Sequence, residues 1–356
     1  MTPQALLPDP QTMYRAFVEK DASFEGLFVM GVRTTGIFCR PTCPARKPKP
    51  ENVEFFPRPG DALAAGYRPC KRCRPLEAKG SAPAWLAPLM KAVEADPTKR
   101  WTAQDIRDLG IDPARARRWF RAEHGMTFLA YLRSRRLGDA FSRIKEGSDL
   151  LEAAASADFD SVSGFCDALR KRAGASATRI KDRLPLKVEQ VASPLGPIMV
   201  AGDDEAVYLV EFWDRRMLET QFSVLEKRLH AVFFPGSSSA TRQIAKELQA
   251  YFTGALRRFE TPIRFPGTEH QQLVWKELLA TPYGETWSYG ELAARIGKRS
   301  AVRSVARAVG ENRFAIVIPC HRIVGADGKL TGYGGGLWRK RFLLEHERNI
   351  LGKTLL

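Results

Sequence analysis

The middle of the chain has apolar residues at helical spacing, interrupted at short turns. From Trp101 onward they recur with the period of a helix face, which predicts a series of short helices. Thr102 is suited to cap a first helix that ends near Gly110, and Asp112 to cap a second helix with Pro113 at its first position. The pattern predicts a helix-turn-helix.

A second helix pair follows in the run DLLEAAASADFDSVSGFCDALRKRAG. We expect Asp160 or Ser161 to cap a helix that carries Phe165 and Leu169 and ends in three basic residues. Cys166 has no metal-ligand neighbour, so it is expected to be a small apolar core residue. The segment predicts either a double helix-turn-helix or a plain helical bundle with solvated arginines.

After Pro185 the pattern changes to alternating, strand-like runs in LKVEQVASPLGPIMVAGDDEAVYLVEFW, with turns at 193–197 and 202–204. Helical spacing then returns. The predicted helices span 217–232, 241–253, 270–281, 289–296, 301–309 and 338–346. This order predicts an α+β region, with a small antiparallel sheet followed by a mainly helical subdomain.

The chain has 356 residues, which is too long for one ordinary core. Its composition shifts at 74–88, which is rich in Pro, Ala and Gly, and again near Pro185, where the helical pattern stops. We therefore predict domains at 1–80, 81–184, 185–265 and 266–356.

The charge is basic throughout. Residues 1–80 carry 13 Lys and Arg against 8 Asp and Glu, residues 81–184 carry 19 against 14, and residues 185–356 carry 24 against 18. Such a distribution favours an extended polyanion such as DNA, although many basic proteins bind no nucleic acid. The sequence has neither a signal-peptide pattern nor a long apolar run, so we expect a cytoplasmic protein without a membrane partner.

Four of the six cysteines form two close pairs. Short pairs separated by a loop can turn four sulfurs toward one tetrahedral zinc ion, whose function could be catalytic or only structural. Four thiolates around Zn²⁺ leave a formal charge of about −2, which neighbouring basic residues such as Arg46 and Arg68 would offset. The predicted ligands are Cys39, Cys43, Cys70 and Cys73.

A fifth cysteine, Cys320, precedes a histidine in IVIPCHRIVG. Pro319 prevents a helix from running through, so the cysteine should lie on a turn. A free thiol with a pKa of about 8.5 is mostly protonated at neutral pH and needs a base to become a nucleophile. His321 could be that base, acting through a water and held by a third group. On these residues alone, Cys320 is a nucleophile with an unknown acceptor or a structural cysteine.

Motifs in the N-terminal segment and in the middle segment resemble two known families. RTTGIFCRPTCPAR with ALAAGYRPCKRC resembles the N-terminal domain of the bacterial Ada family, which implies that zinc-bound Cys39 takes a methyl group from a methylphosphotriester and thereby switches on DNA binding. FCDALRKRAG with the preceding helices resembles the AraC-type DNA-binding domain, which implies two recognition helices in successive major-groove segments. Arg115 and Arg118 lie on the first of these. Asp158 stands where that family commonly has glycine.

The C-terminal segment resembles the O6-alkylguanine-DNA alkyltransferases. The motifs that carry the resemblance are PCHRIV, TPYGETWSYGELAARIG, ARAVGEN, IPCHRIVGADGKLTGYGGG and LLEHE. The resemblance implies that Cys320 irreversibly accepts the alkyl group of a flipped O6-alkylguanine, and also of O4-methylthymine. The other implied functional residues are His321 as the base through water, Glu347 orienting it, Asn312 holding the turn, Tyr289 donating toward the guanine, and Arg303 filling the gap in the duplex.

Together these patterns predict a multi-domain α+β protein: a small four-cysteine zinc domain, an all-α AraC-type double helix-turn-helix and an α+β alkyltransferase domain. The predicted function is single-turnover methyl transfer from DNA, with one Zn²⁺ and with transcriptional activation of the adaptive response. We expect a nucleoid-associated monomer that binds alkylated and promoter DNA, and RNA polymerase when activating. Two alternatives are a zinc-dependent transcription factor whose C-terminal domain senses lesions without repairing them, and a thiol hydrolase.

Overall fold

The computed structural model describes residues 9–21, 24, 28–57, 59–73, 75, 82–173 and 182–352. The chain divides into two compact units. One comprises Met1–Lys79, Pro194–Gly196 and Glu269–Leu356, and the other comprises Gly80–Ser193 and Pro197–Thr268. The predicted boundary at residue 80 lies outside the described residues.

The N-terminal part of the first unit is a four-stranded sheet with two helices. Its elements are α1 (Pro10–Glu19), β1 (Val29–Val32), β2 (Ile37–Cys39), β3 (Val53–Phe56), α2 (Pro59–Ala64) and β4 (Arg68–Pro69), with strand order β3-β1-β2-β4. β2 and β4 pair in parallel, with Ile37 opposite Arg68. Because a cysteine ends β2 and another follows β4, this pairing brings the two cysteine motifs together.

The C-terminal part of the first unit is mainly helical. Its elements are α11 (Glu269–Leu278), β9 (Trp287–Ser288), α12 (Tyr289–Arg295), α13 (Val302–Gly310), a 3₁₀ turn (Cys320–Arg322), β10 (Ile323–Val324) and α14 (Leu337–Ile350). β9 and β10 form a short parallel pair. This pair ties the start of α12 to the strand that follows Cys320.

The second unit begins with six helices, α3 (Ala87–Ala95), α4 (Ala103–Asp108), α5 (Pro113–His124), α6 (Phe128–Glu146), α7 (Leu150–Ser156) and α8 (Val162–Ala173). The predicted caps are confirmed. Thr102 Oγ1 accepts from the Asp105 amide at 3.2 Å, and Asp112 Oδ1 accepts from the Ala114 amide at 2.9 Å. Ser161, rather than Asp160, caps α8.

The second unit continues with a sheet and two helices: β5 (Leu184–Val191), β6 (Ile198–Gly202), β7 (Val207–Phe212), α9 (Leu218–Leu229), β8 (Ala231–Pro235) and α10 (Ser239–Phe252). The strand order is β7-β6-β5-β8, and β8 is parallel to β5. The three strands predicted from the alternating runs, β5, β6 and β7, pair antiparallel as expected, and β8 adds a parallel edge strand that was not predicted. The predicted helix 217–232 was too long, because His230 adopts a left-handed φ of 52° and the following AVFFP favours a strand.

One of the apolar clusters of the second unit is shared by helices α6 to α8 and strand β8, whereas α3 to α5 and the strands β5 to β7 also pack in clusters of their own. Leu137, Phe141 and Phe165 from the helices are buried in the same cluster as Val232 and Phe234 from β8. Cys166 packs against this cluster, as predicted. The parts on the two sides of the composition shift near Pro185 therefore contact each other through this shared cluster.

Candidate functional site

Cys320 lies at the end of a buried loop that Asn312 holds together. Asn312 Nδ2 donates to the Ile318 carbonyl and to the Cys320 sulfur, each at 3.0 Å, and Asn312 Oδ1 accepts from the Phe314 amide at 3.0 Å. Ile316 in this loop has a φ of 73°, a strained value for a β-branched residue. The hydrogen bonds of Asn312 fix the loop and orient the sulfur of Cys320, a residue that is 8% exposed.

The neighbouring His321 is paired with Glu347 of α14. His321 Nε2 lies 2.8 Å from Glu347 Oε1, and neither side chain is exposed to solvent. Burial lowers the pKa of His321, against a smaller opposing effect of Glu347. The pKa of Glu347 is lowered, because His321 and Arg322 together outweigh burial, which acts in the raising direction. The pair is therefore a neutral imidazole beside a carboxylate.

This pairing assigns the proton on the imidazole. With Nε2 donating to Glu347, Nδ1 is the basic nitrogen. His321 Nδ1 is buried and has no hydrogen-bond partner among the described residues. It is available to accept a proton through a bridging water.

Two buried cations complete the site and were not predicted. Arg322 donates to both oxygens of Glu347, at 2.9 Å each, and to the Thr281 carbonyl at 2.6 Å. Lys340 donates to the carbonyls of Ile323 and Thr331, and burial lowers its pKa to about 8. The sequence feature that could have indicated these buried cations is a basic residue inside or beside an apolar run.

Tyr289 and Arg303 occupy different surroundings. Tyr289 begins α12 and is partly buried, and burial raises its pKa, so the hydroxyl remains a proton donor at neutral pH. Arg303 is exposed on α13, whose opposite face buries Val305 and Val309. Tyr289 thus lies close enough to Cys320 for the cysteine to raise its pKa further, whereas Arg303 lies on the surface of α13.

The four N-terminal cysteines converge. The sulfurs of Cys39, Cys43, Cys70 and Cys73 all lie within 4.8 Å of one another. A tetrahedral zinc site with Zn–S bonds of about 2.3 Å requires sulfurs about 3.8 Å apart, so the cluster fits zinc after a small closure. Within the described residues, these four cysteines are the side chains that the fold brings together as potential metal ligands.

The basic residues predicted to contact DNA are on the surface. Arg46 and Arg68 are exposed near the cysteine cluster. Arg115 and Arg118 are exposed on α5, opposite the buried Phe120. Arg115 also packs its guanidinium 4.2 Å from the centre of a tryptophan ring.

Family models match three stretches of the chain. They describe the metal binding domain of Ada at residues 12–76, a helix-turn-helix domain at 106–183 and the 6-O-methylguanine DNA methyltransferase DNA binding domain at 269–349. The class is thus a zinc-binding, helix-turn-helix protein with a methyltransferase domain. The predicted α+β fold class is confirmed.

Two curated proteins illustrate the similarity. The bifunctional transcriptional activator/DNA repair enzyme Ada of Escherichia coli is 34% identical over 349 residues, which cover 94% of this chain and 95% of that protein. The chain belongs to the Ada family. A methylated-DNA–protein-cysteine methyltransferase of Mycobacterium tuberculosis is 46% identical over 159 residues, covering 45% of this chain and 90% of the relative.

Among solved structures, the crystal structure of Mycobacterium tuberculosis OGT in complex with DNA is 41% identical, covers 46% of this chain and 94% of that chain, and has a TM-score of 0.40. The family assignment rests on the sequence matches. Among the described residues, no helix is both long and apolar enough to cross a membrane.

Proposed function

We propose that the protein repairs alkylated DNA by transferring methyl groups to two of its own cysteines, and that it activates transcription in response. The observation that carries the proposal is the arrangement at Cys320: a sulfur oriented by Asn312, next to a neutral imidazole that is paired with a buried carboxylate. This arrangement supports an activated nucleophile at Cys320.

At Cys320, the base lesion would be a flipped O6-methylguanine or O4-methylthymine. His321 Nδ1 takes the thiol proton through a water, while Glu347 stabilises the resulting imidazolium. The sulfur–carbon bond forms as the carbon–O6 bond breaks, and the electron pair stays on guanine, which takes a proton from Tyr289. Solvent then returns a proton to the phenolate as the imidazolium of His321 releases the proton of the thiol. The thioether product cannot be displaced, so each molecule reacts once.

Access to the base requires DNA distortion. α13 presents small residues and the exposed Arg303, so it can approach a minor groove closely. A guanidinium in the vacated base stack would offset part of the flipping cost, which is a few kcal/mol. We propose that Arg303 fills this gap.

The cysteine cluster would provide the second acceptor. When bound, zinc holds its four thiols deprotonated. Backbone amides of Arg40 and Ala45 donate to the sulfurs of Cys73 and Cys43, which withdraws electron density from both. We assign methyl transfer from phosphotriesters to Cys39, as the resemblance to the Ada family implies, although Cys73 is more exposed than Cys39.

Methylation of Cys39 would change the charge of the zinc site from about −2 to about −1 and lower its repulsion toward phosphate. Arg46 and Arg68 would then hold the DNA backbone, and Arg115 and Arg118 on α5 would read the promoter. We propose that the activated protein is a monomer that contacts RNA polymerase. We place it in the cytoplasm, associated with the nucleoid.

We also propose that the chain has four functional parts, at 1–80, 81–184, 185–265 and 266–356. The second and third parts are joined by the apolar cluster that α6 to α8 share with β8. In chain order, the four parts would carry out phosphotriester repair, promoter reading, support of the alkyltransferase and base repair.

The test is to offer DNA labelled on the methyl group of O6-methylguanine or of a phosphotriester, and to map the label by peptide mass. We expect one methyl on Cys320 from the base and one on Cys39 from the phosphotriester. Cys320→Ala should abolish only the first transfer. Label on Cys73, or label released to water, would contradict the assignments, and absence of transfer would favour a lesion-sensing transcription factor.

A further inference from the structure

The second unit contains a cavity that the proposed methyl transfer does not use. Its volume is about 580 Å³, within the range of roughly 300–1,000 Å³ that is usual for small-molecule sites. Helices α3 and α5 form one wall, and strands β5 and β8 form the other. Six aromatic side chains line it: Trp119, Tyr131, Trp213, Phe222, Phe233 and Phe234.

Two carboxylates of the lining have no ionic partner. Neither Glu123 nor Glu189 forms an ion pair within the described part of the chain, and Glu189 Oε1 is buried without a hydrogen-bond partner there. Burial raises the pKa of both side chains. A buried carboxylate is costly unless an opposite charge or a donor satisfies it.

The other charged groups of the lining are already engaged. Arg172 Nη2 donates to the Phe233 carbonyl at 2.8 Å. Arg242 donates to the hydroxyls of Ser237 and Ser239 at 3.3 and 3.4 Å. Glu94 pairs with an arginine of α6 at 2.7 Å. Arg242 and the Thr241 hydroxyl also act on Glu189, but its Oε1 atom and the Glu123 carboxylate remain for a ligand.

We propose that this cavity binds a small organic cation with a flat aromatic body. The aromatic faces attract a cation through their quadrupoles and provide the apolar contact area. Glu189 and Glu123 supply the opposite charge. Since α5 also carries Arg115 and Arg118, an occupant that bridges α5 and β5 holds the predicted promoter-reading helix against the sheet.

A matched pair of ligands tests the charge requirement. N-methylquinolinium has a fixed positive charge, whereas quinoline has the same two rings and is neutral at pH 7.5. Calorimetric titration of the full chain should show the cation binding at least about tenfold more tightly than quinoline, which corresponds to one favourable charge interaction. The net charge of +16 disfavours adventitious binding of a cation to the surface.

Glu189→Gln keeps the volume of the side chain and removes its charge. It should weaken N-methylquinolinium at least about tenfold and leave quinoline unchanged. The control is Glu205→Gln, at an exposed carboxylate that pairs with Arg264 in the same unit, and it should change neither ligand. Equal affinity for the two ligands, no binding of the cation at millimolar concentration, or an unaltered Glu189→Gln protein would each overturn the proposal.

Discussion

Glu347 Oε1 lies 2.8 Å from His321 Nε2, with both side chains wholly buried. Glu347→Gln removes the charge that orients the imidazole and would stabilise its protonated form. We expect methyl transfer from O6-methylguanine to slow by about a hundredfold, a typical contribution of acid–base catalysis. A single-turnover assay measures this. Glu345→Gln on the same helix is the control, and an equal loss in both variants would argue against the pairing.

The same substitution should reduce stability, because it leaves Arg322 buried without its counter-charge. The expected loss in the free energy of unfolding is about 3 kcal/mol, as for other broken buried pairs. In the native protein the pKa of Glu347 is lowered below its ordinary value of 4.5. Its stabilisation is therefore fully present above pH 4.5 and is lost as the pH falls through the folded-state pKa. Denaturant titrations at several pH values measure both effects.

The pH dependence of the reaction should reflect the burial of His321. Burial places its pKa below the ordinary value of 6.5, so the imidazole remains a neutral base as the pH is lowered from about 8 to about 6.5. The single-turnover rate at Cys320 should stay level from about pH 7.5, where Lys340 with its pKa of about 8 is mostly protonated, to about pH 6.5, and should fall only at lower pH. A midpoint at or above the ordinary histidine pKa of 6.5 would show that His321 is not the base, or that it is not buried in the reactive complex.

The sequence predicts local features better than it predicts inward-facing charges. Thr102, Asp112 and Ser161 cap helices through bonds to amides two or three residues away, so their motifs suffice. No comparable short-range motif indicates that Arg322 and Lys340 are buried. Arg322 bonds to Glu347, 25 residues away, and Lys340 to Ile323, 17 residues away, so only the packed loop determines that these basic residues face inward.

Asp158 shows how a departure from a family pattern can be accommodated. It has a φ of 64°, which explains why glycine is common at this position. Its carboxylate pairs with Arg100 and, at 3.5 Å, with the mostly buried Arg136. The ion pairs offset the backbone cost and link the turn between α7 and α8 to α6.

Two substitutions separate these contributions at Asp158. Asp158→Gly relieves the backbone but loses the pairs, and should lower stability by about 1 kcal/mol. Asp158→Ala loses the pairs and keeps a Cβ in the left-handed region, so it should cost about 1 kcal/mol more. Thermal unfolding should rank the native protein first, the glycine variant second and the alanine variant third. A glycine variant more stable than the native protein would mean that the ion pairs contribute less than the left-handed backbone costs.

Zinc removal should separate the two proposed acceptors. Because the N-terminal sheet is small and the cysteine cluster lies in its core, chelation should unfold this part and abolish transfer to Cys39. Transfer to Cys320 should persist. Peptide mapping after treatment with a chelator measures both, with readdition of Zn²⁺ as the control. Persistent labelling of Cys39 without zinc would contradict a metal-dependent nucleophile.

Phe234 tests whether the predicted boundary near residue 184 separates independent domains. The side chain is fully buried in the core shared by α6, α7, α8 and β8, and a Cβ on Gly138 of α6 would lie only 2.5 Å from the Phe234 Cβ. Phe234→Ala should therefore cost about 3–5 kcal/mol and increase hydrogen exchange in α7 and α8 as well as in β5. Phe38→Ala, at an equally buried position of the first unit, is the control and should leave these segments protected. If exchange rose only in the sheet, the helices would have a core of their own and the boundary would stand; the common cluster predicts that they loosen together.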